Sequence, residues 1–271
     1  MSLSILPGFA ALAAMAPALV LGWLGTERVT ARAFWLSLAP AVLAPTLVAW
    51  GLQSGGWRTG LGSALWHAVA ASVLAFALLC ARSAVARRLT PLLAAYLMLV
   101  ATLALAWQHV PSRPLRTPDG SAWLHLHVVV ALVAYGVLTI AAVAGAAIML
   151  QERALRRKSP NRFTRSLPAI AEGESLQVRL LVGVEALLGL TLLSGVVINR
   201  FQGFGWLAGD HKTVLSLAAF VLIGALLVSH LRLGLTGRRA ARYGLLAYLL
   251  LTLAYPGVKL VSDILIGPRG G

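Results

Sequence analysis

Long apolar runs alternate with short polar segments from one end of this chain to the other. Most of the runs reach or approach the length of about twenty residues that a helix needs to cross a bilayer. Their approximate bounds are 3–24, 33–52, 61–81, 89–108, 122–150, 180–198, 213–233 and 243–262. The pattern predicts an all-α membrane protein of about eight transmembrane helices, which together form a single polytopic domain over residues 1–271.

Composition agrees with this pattern. The 271 residues are 59% hydrophobic and only 11% charged, whereas a soluble domain carries about 25% charged residues. No basic residue precedes the first apolar run in MSLSILPGF, so we expect that run to be a retained span and not a cleaved signal peptide. The lone Cys80 excludes an internal disulfide and a C-x-x-C redox pair.

The net charge of +15 is distributed unevenly between the two sides of the predicted bundle. The connections at 25–32, 82–88, 151–179 and 232–242 carry sixteen of the 23 Lys and Arg residues. The positive-inside rule places these connections in the cytoplasm and both termini on the outer, periplasmic side. Topology and attraction to anionic lipid headgroups account for the basic excess, so no nucleic-acid partner is expected.

Two histidines near the outer side are candidate ligands, because ionisable groups inside membrane spans are costly and are therefore functional candidates. His67 and His127 each lie about five or six residues from the outer end of a predicted span. From the helix rise we expect them to lie at one level and to face each other across a pocket. Ala131 and Tyr135 share the face of His127, and the small residue leaves room for a flat ligand.

A second pair is predicted nearer the cytoplasm. His230 lies close to the inner end of its span, and Glu185 is expected at a similar depth, so the two are predicted to pair. A neutral imidazole is a haem or metal ligand. The alternative for each histidine is a hydrogen bond to the backbone of a neighbouring helix. His125, two residues from His127, is expected at the membrane interface.

Several segments taken together resemble a known family. The quoted segments are HVVVALVAYG (127–136), QERAL (151–155), LP (167–168), LTLLSG (190–195), DHKTVLSL (210–217), SHLRLGLTGRRAA (229–241) and LTLAYPGVKLV (251–261). In order and spacing they resemble the CcsA/CcmC/HemX superfamily of cytochrome c assembly proteins, and within it the YpjD-type CcsA-related branch. The resemblance is strongest over residues 122–266. The spans within 1–108 match in hydropathy alone.

The resemblance implies non-covalent binding of haem b and its delivery across the bacterial cytoplasmic membrane for cytochrome c assembly. Cytochrome c maturation proteins are the implied partners, and no catalytic residue is expected. His127 corresponds to the haem-iron ligand of the outer side, and His230 to that of an inner site. Trp206, Asp210 and Lys212 correspond to what remains here of the tryptophan-rich outer segment.

We expect further residues to take part in this haem site. His67 is the candidate partner of His127, because the outer histidine that follows the last span in true CcsA proteins is missing. Glu185 is expected to hold His230, and Trp206 and Phe204 to cover the haem face. Haem propionates favour Arg and Lys at short range. The candidates for that pairing are Arg113, Arg116, Arg200 and Lys212.

Two other functional classes remain open from the sequence. A HemX-like regulator of haem synthesis would act through the cytoplasmic segment 151–179. A small-molecule transporter without haem would use the histidines to relay protons. An intramembrane enzyme is disfavoured, because the chain has no D-x-x-x-D pair and no H-E-x-x-H motif.

Overall fold

The computed structural model describes residues 5–24, 29–53, 58–108, 113–114, 122–201 and 211–261. Over these residues the chain is helical apart from short connections and one pair of two-residue strands. The long helices are α1 (Leu6–Leu24), α2 (Ala31–Gly51), α3 (Leu61–Arg82), α5 (Thr90–Ala106), α6 (Ala122–Arg156), α8 (Ile170–Phe201), α9 (His211–Leu233) and α10 (Gly237–Thr252). The short ones are α4 (Ala84–Arg87), α7 (Arg162–Ser166) and α11 (Val258–Leu260).

Seven described segments are long and apolar enough to cross a membrane, where the sequence predicted about eight. The predicted span at 89–108 is helix α5, which has 17 residues. At a rise of about 1.5 Å per residue it extends about 25 Å, somewhat less than a hydrocarbon core of about 30 Å. The all-α class is confirmed, and α5 is an apolar helix at the margin of spanning length.

Contacts between distant segments define two ends of the bundle. At one end, Arg88 forms a salt bridge with Glu172 at 3.6 Å, and Trp23 stacks on Phe163 with ring centroids 4.8 Å apart. We call this the basic end. At the opposite end, strands β1 (Arg58–Thr59) and β2 (Arg113–Pro114) pair antiparallel. We call this the strand end.

The connection predicted at 151–179 is much shorter in the structure. Helix α6 continues to Arg156 and helix α8 begins at Ile170, so only residues 157–169 link them, with the short helix α7 inside. The extension of α6 is stabilised because Ala154 is buried and Gln151 donates hydrogen bonds to the carbonyls of Leu167 and Pro168. The segment is therefore folded against the bundle and is not an extended loop.

Helix α6 occupies the centre of the fold. One of its faces, with Ile140 and Ala144, packs into a core built from α1, α2, α3 and α5. Another face, with Leu138 and Ala141, packs into a second core built from α8, α9 and α10. More than half of its spanning window is buried (56%), against 17% for α8 and for α9. The two halves of the protein are therefore joined through α6.

A glycine in α6 allows the backbones of α6 and α3 to approach each other closely. A Cβ atom at Gly136 of α6 would lie 2.9 Å from the backbone carbonyl carbon and oxygen of Ala71 in α3. In membranes, where water provides no hydrophobic drive between helices, small residues of this kind allow backbones to pack closely. Gly136 therefore fixes the separation of α3 and α6.

We expect Gly136→Ala to destabilise the protein by about 1–3 kcal/mol, because α3 and α6 must move apart to admit the methyl group. Gly183→Ala in α8 is the matched control, since nothing lies within 4 Å of its Cβ position. Alanine is the better helix former by roughly 1 kcal/mol, so this control should melt at the same temperature as the wild type or higher. Equal melting temperatures for both variants in detergent would contradict the close packing at Gly136.

Candidate functional site

A cavity of about 490 Å³ opens between α3, α6, α8, α9 and the last helical segments. This volume falls within the range of about 300–1,000 Å³ that is usual for small-molecule sites. Most of its wall is apolar, and none of the described residues that line it is a carboxylate. Its ionisable lining residues are His67, His127, Tyr135, Lys212, Tyr255 and Lys259. The two histidines predicted to share a pocket do line the same one.

The hydrogen bonds of His127 determine which of its ring nitrogens is open. Its Nδ1 lies 2.7 Å from the Ser194 hydroxyl oxygen, and that hydroxyl donates to the carbonyl of Thr191 at 2.9 Å. The single hydroxyl proton is thus used, so Ser194 accepts from Nδ1–H. Nε2 then carries the lone pair, and no described residue donates to it. An imidazole fixed in this way by its other nitrogen is arranged as a metal ligand.

His67 has a different environment from His127. Its Nδ1 lies 2.6 Å from the Ser63 carbonyl, which can only accept, so Nδ1 donates. Nε2 is then the acceptor for the side-chain amide of Gln53. The lone pair with which His67 could bind a metal is therefore already engaged in this structure.

The prediction that His67 and His127 lie at the same height in the bundle is wrong. The α3–α6 crossing at Ala71 and Gly136 serves as a common reference. His67 is four residues from Ala71, and His127 is nine residues from Gly136. At about 1.5 Å per residue, His127 lies roughly 7 Å nearer the strand end. The prediction failed because it measured each histidine from an estimated span end, whereas packing sets the relative height of two helices.

Two lysines supply positive charge to the cavity. Lys212 stands in the first turn of α9, and its Nζ lies 6.0 Å from the centre of the Tyr255 ring. Lys259 lies in α11, after the chain has passed through a π-helical segment (Leu253–Gly257) that contains Pro256. A proline inside a helix ordinarily kinks or breaks it, and here the wider π turn accommodates Pro256. Tyr255 and Pro256 of this turn line the cavity.

A chain of hydroxyl groups runs inward from Tyr135. Its members are Tyr96 of α5, Tyr135 of α6, and Tyr248 and Thr252 of α10. Tyr96 contacts Tyr248, Tyr248 lies 3.1 Å from Tyr135, and Tyr135 lies 3.2 Å from Thr252. Thr252 donates its proton to the Tyr248 carbonyl at 2.8 Å. The direction follows: Tyr96 donates to Tyr248, Tyr248 to Tyr135, and Tyr135 to Thr252.

The predicted Glu185–His230 pair is not formed. His230 lies near the basic end as expected, but its Nδ1 lies 2.9 Å from the Leu235 carbonyl. Glu185 Oε1 instead abuts Gly224 of α9, six residues and about 9 Å before His230. The prediction counted Glu185 from residue 180, whereas α8 begins at Ile170. His230 therefore belongs to no site with Glu185, and its role as an inner ligand stays a prediction.

The remaining predicted residues divide into two groups. Arg200 is exposed at the end of α8 and is not among the residues that line the cavity, and His125 is likewise exposed outside it. Trp206, Asp210, Phe204 and Arg116 fall outside the described residues, as does the side chain of Arg113. Their predicted contacts with a ligand stay predictions.

Sequence reasoning missed three residues that shape the site. Gln53 and Ser194 position the two histidines, and Tyr248 joins the hydroxyl chain. In the sequence, each of them is a polar side chain within or beside an apolar run. Many residues of this chain fit that description, and only the packing of α3, α6, α8 and α10 shows which of them lie at the site.

We expect Tyr248→Phe to destabilise the protein by about 1–3 kcal/mol, because it leaves the Tyr96 hydroxyl proton and the Tyr135 oxygen without their partner. Tyr243→Phe on the same helix is the control, since the Tyr243 side chain is exposed. Thermal unfolding in detergent should separate the two variants. A melting temperature for Tyr248→Phe equal to that of Tyr243→Phe would contradict the proposed hydroxyl chain.

Comparison with known proteins adds to this geometry. The profile of the Cytochrome C assembly protein family matches residues 57–266, which contain every lining residue of the cavity. The chain is also 46% identical over 236 residues to an "Uncharacterized 28.8 kDa protein in nifR3-like 5'region" of Azospirillum brasilense, covering 86% of each chain. No solved structure matches significantly. The apolar helices and the family together support a multi-pass membrane protein with a role in cytochrome c maturation. The chain belongs to the cytochrome c assembly protein family.

Proposed function

We propose that the protein binds haem b non-covalently in the cavity beside His127. It would do so in the bacterial cytoplasmic membrane, where it receives haem and passes it on during cytochrome c assembly. The observation that carries the proposal is the open Nε2 of His127, fixed by Ser194 at an otherwise largely apolar cavity. When bound, haem would supply an iron that the His127 imidazole could hold through Nε2.

The lining of the cavity fits such a ligand. Leu132, Leu188 and Leu251, from three different helices, offer apolar contacts to a porphyrin. Lys212 and Lys259 are placed to pair with the two propionates, since carboxylates form charge-assisted hydrogen bonds with ammonium groups. The absence of any carboxylate among the described lining residues favours an anionic ligand over a cationic one.

We propose fewer haem ligands in this cavity than the sequence predicted. His127 is the iron ligand of the described cavity, while His67 keeps its hydrogen bond to Gln53 and forms part of the wall. For His67 to become a second axial ligand, the Gln53 amide would have to leave Nε2. Trp206 and Asp210 remain candidates for covering the haem, as the family resemblance implies.

We further propose that the strand end faces the periplasm and the basic end the cytoplasm. Sixteen of the 23 basic residues belong to connections of the basic end, and such residues are retained in the cytoplasm. With α5 as an eighth crossing, both termini lie outside and the cavity opens toward the periplasmic half. This arrangement suits delivery of haem to a periplasmic acceptor.

The regulatory alternative would act through a segment that is mostly helical. Of the segment 151–179, the first six residues belong to α6 and the last ten to α8, so only residues 157–169 connect the two helices. The transporter alternative shares the cavity with our proposal. It differs in predicting that no haem is bound.

We expect the purified protein, expressed with excess haem precursor, to show a Soret absorption band that His127→Ala abolishes or strongly weakens. His125→Ala is the matched control, because that histidine lies on the same helix two residues away and outside the cavity. Its spectrum should equal that of the wild type. A Soret band unaffected in His127→Ala and lost in His230→Ala would move the site to the basic end.

We expect Ser194→Ala to keep the fold but to weaken haem binding by about 10- to 100-fold, because the substitution frees the His127 ring to rotate and change tautomer. Ser72→Ala is the control, since Ser72 is also a serine within a span, and its hydroxyl donates only to the Ala68 carbonyl of its own helix. Haem titration followed by absorbance measures both affinities. Equal affinities would show that Ser194 does not position the ligand.

A further inference from the structure

A carboxyl group lies in the middle of helix α8 without a hydrogen-bond partner among the described residues. Glu185 is the sixteenth of the 32 residues of α8. Its Oε1 is lodged against Gly224 of α9, where a Cβ atom would come within 2.8 Å of it. Its Oε2 is buried and accepts no hydrogen bond from any described residue. The carboxyl thus occupies a notch between α8 and α9, far from both ends of the bundle.

No charged group neutralises it within the described part of the chain. The helices packed against α8 are α4, α6, α9 and α10. Their nearest polar or charged groups are bonded elsewhere: His127 to Ser194, His230 to the Leu235 carbonyl, Tyr135 and Tyr248 to each other, and Arg87 to the Cys80 carbonyl. Lys212 is directed to the Tyr255 ring in the cavity. The remaining ionisable groups of these helices lie within seven residues of a helix end; they are His125, Glu152, Arg153, Arg156, His211, Arg232, Arg238, Arg239, Arg242 and Tyr243.

Physical chemistry leaves few roles for such a group. An ionised carboxylate without a partner in an apolar interior costs far more than a neutral carboxylic acid. A bound Ca²⁺ or Mg²⁺ would require about six or more oxygen ligands, and the notch offers only the two oxygens of one carboxyl. A proton is the one cation that a single carboxyl binds by itself. Ionisable groups at this depth are functional candidates for the same reason.

The notch lies next to the cavity, on the side toward the basic end. Leu188, which lines the cavity, is three residues and about 5 Å along α8 from Glu185. Gly224 provides the space that the carboxyl occupies, so the site is formed by both helices. We propose that Glu185 and the Gly224 notch form a proton-binding site within the membrane, which takes up and releases one proton during the working cycle. The site does not depend on whether the cavity binds haem.

Infrared difference spectroscopy of the full chain in lipid nanodiscs, recorded across a pH series without haem, tests this directly. A carbonyl band of a protonated carboxyl should be present in the wild type, disappear as the pH rises, and be missing in Glu185→Gln. Glu172→Gln is the matched control, because the Glu172 side chain is exposed and paired with Arg88 at the basic end. That variant should keep the band.

A second experiment tests the protonation of Glu185 in the wild type and needs no variant. The protein is modified with a hydrophobic carbodiimide, and the modified residues are mapped by mass spectrometry. The reagent adds to protonated carboxyl groups in apolar surroundings, so Glu185 should be modified, and less so as the pH rises. Three results would overturn the proposal. They are the absence of a band that Glu185→Gln removes, a band that does not change with pH, and a Glu185 that is never modified.

Discussion

The close packing of α6 between its neighbours is the constraint on which the rest of the structure depends. Two cores, one from the first half of the chain and one from the second, meet on opposite faces of this single helix. Gly136 brings the α3 backbone into direct contact with α6. Because water is absent between membrane helices, this fit of small residues has to supply the attraction that burial supplies in soluble proteins. The cavity exists where the packing opens toward the strand end.

Four hydroxyl groups inside the bundle are arranged so that each of their protons has an acceptor. The hydroxyl chain from Tyr96 to Thr252 joins α5, α6 and α10, and it has only one direction that satisfies all four groups. His127 lines the cavity and differs from these groups, because its Nδ1 is satisfied while no described residue donates to its Nε2. An unpaired acceptor in an apolar place is costly, so it is a place where a ligand is expected to complete the structure.

Sequence alone predicted the helices well but not the contacts between them. Hydropathy gave the spans to within a few residues at α2, α3 and α9, because a bilayer imposes both length and composition. It placed the end of α6 six residues too early and the start of α8 ten residues too late. Polar residues continue both helices there, and Gln151 of α6 binds a neighbouring segment.

The candidate site was predicted in part for the same reason. His67 and His127 were correctly expected to share a pocket, because both lie near the strand end of apolar helices. Their relative height, the engagement of His67 by Gln53 and the separation of Glu185 from His230 all follow from how helices slide and rotate against each other. The relative height and rotation of two packed helices cannot be read from any short-range pattern in a single sequence.

Haem binding beside His127 is tested most directly by locating the iron by anomalous scattering in crystals of the haem-loaded protein. We predict a single iron peak at coordination distance from Nε2 of His127, with the porphyrin between α6, α8 and α10 and its carboxylates toward Lys212 and Lys259. An iron peak at His230 or on the outer surface of the bundle, with the cavity beside His127 free of porphyrin, would contradict it.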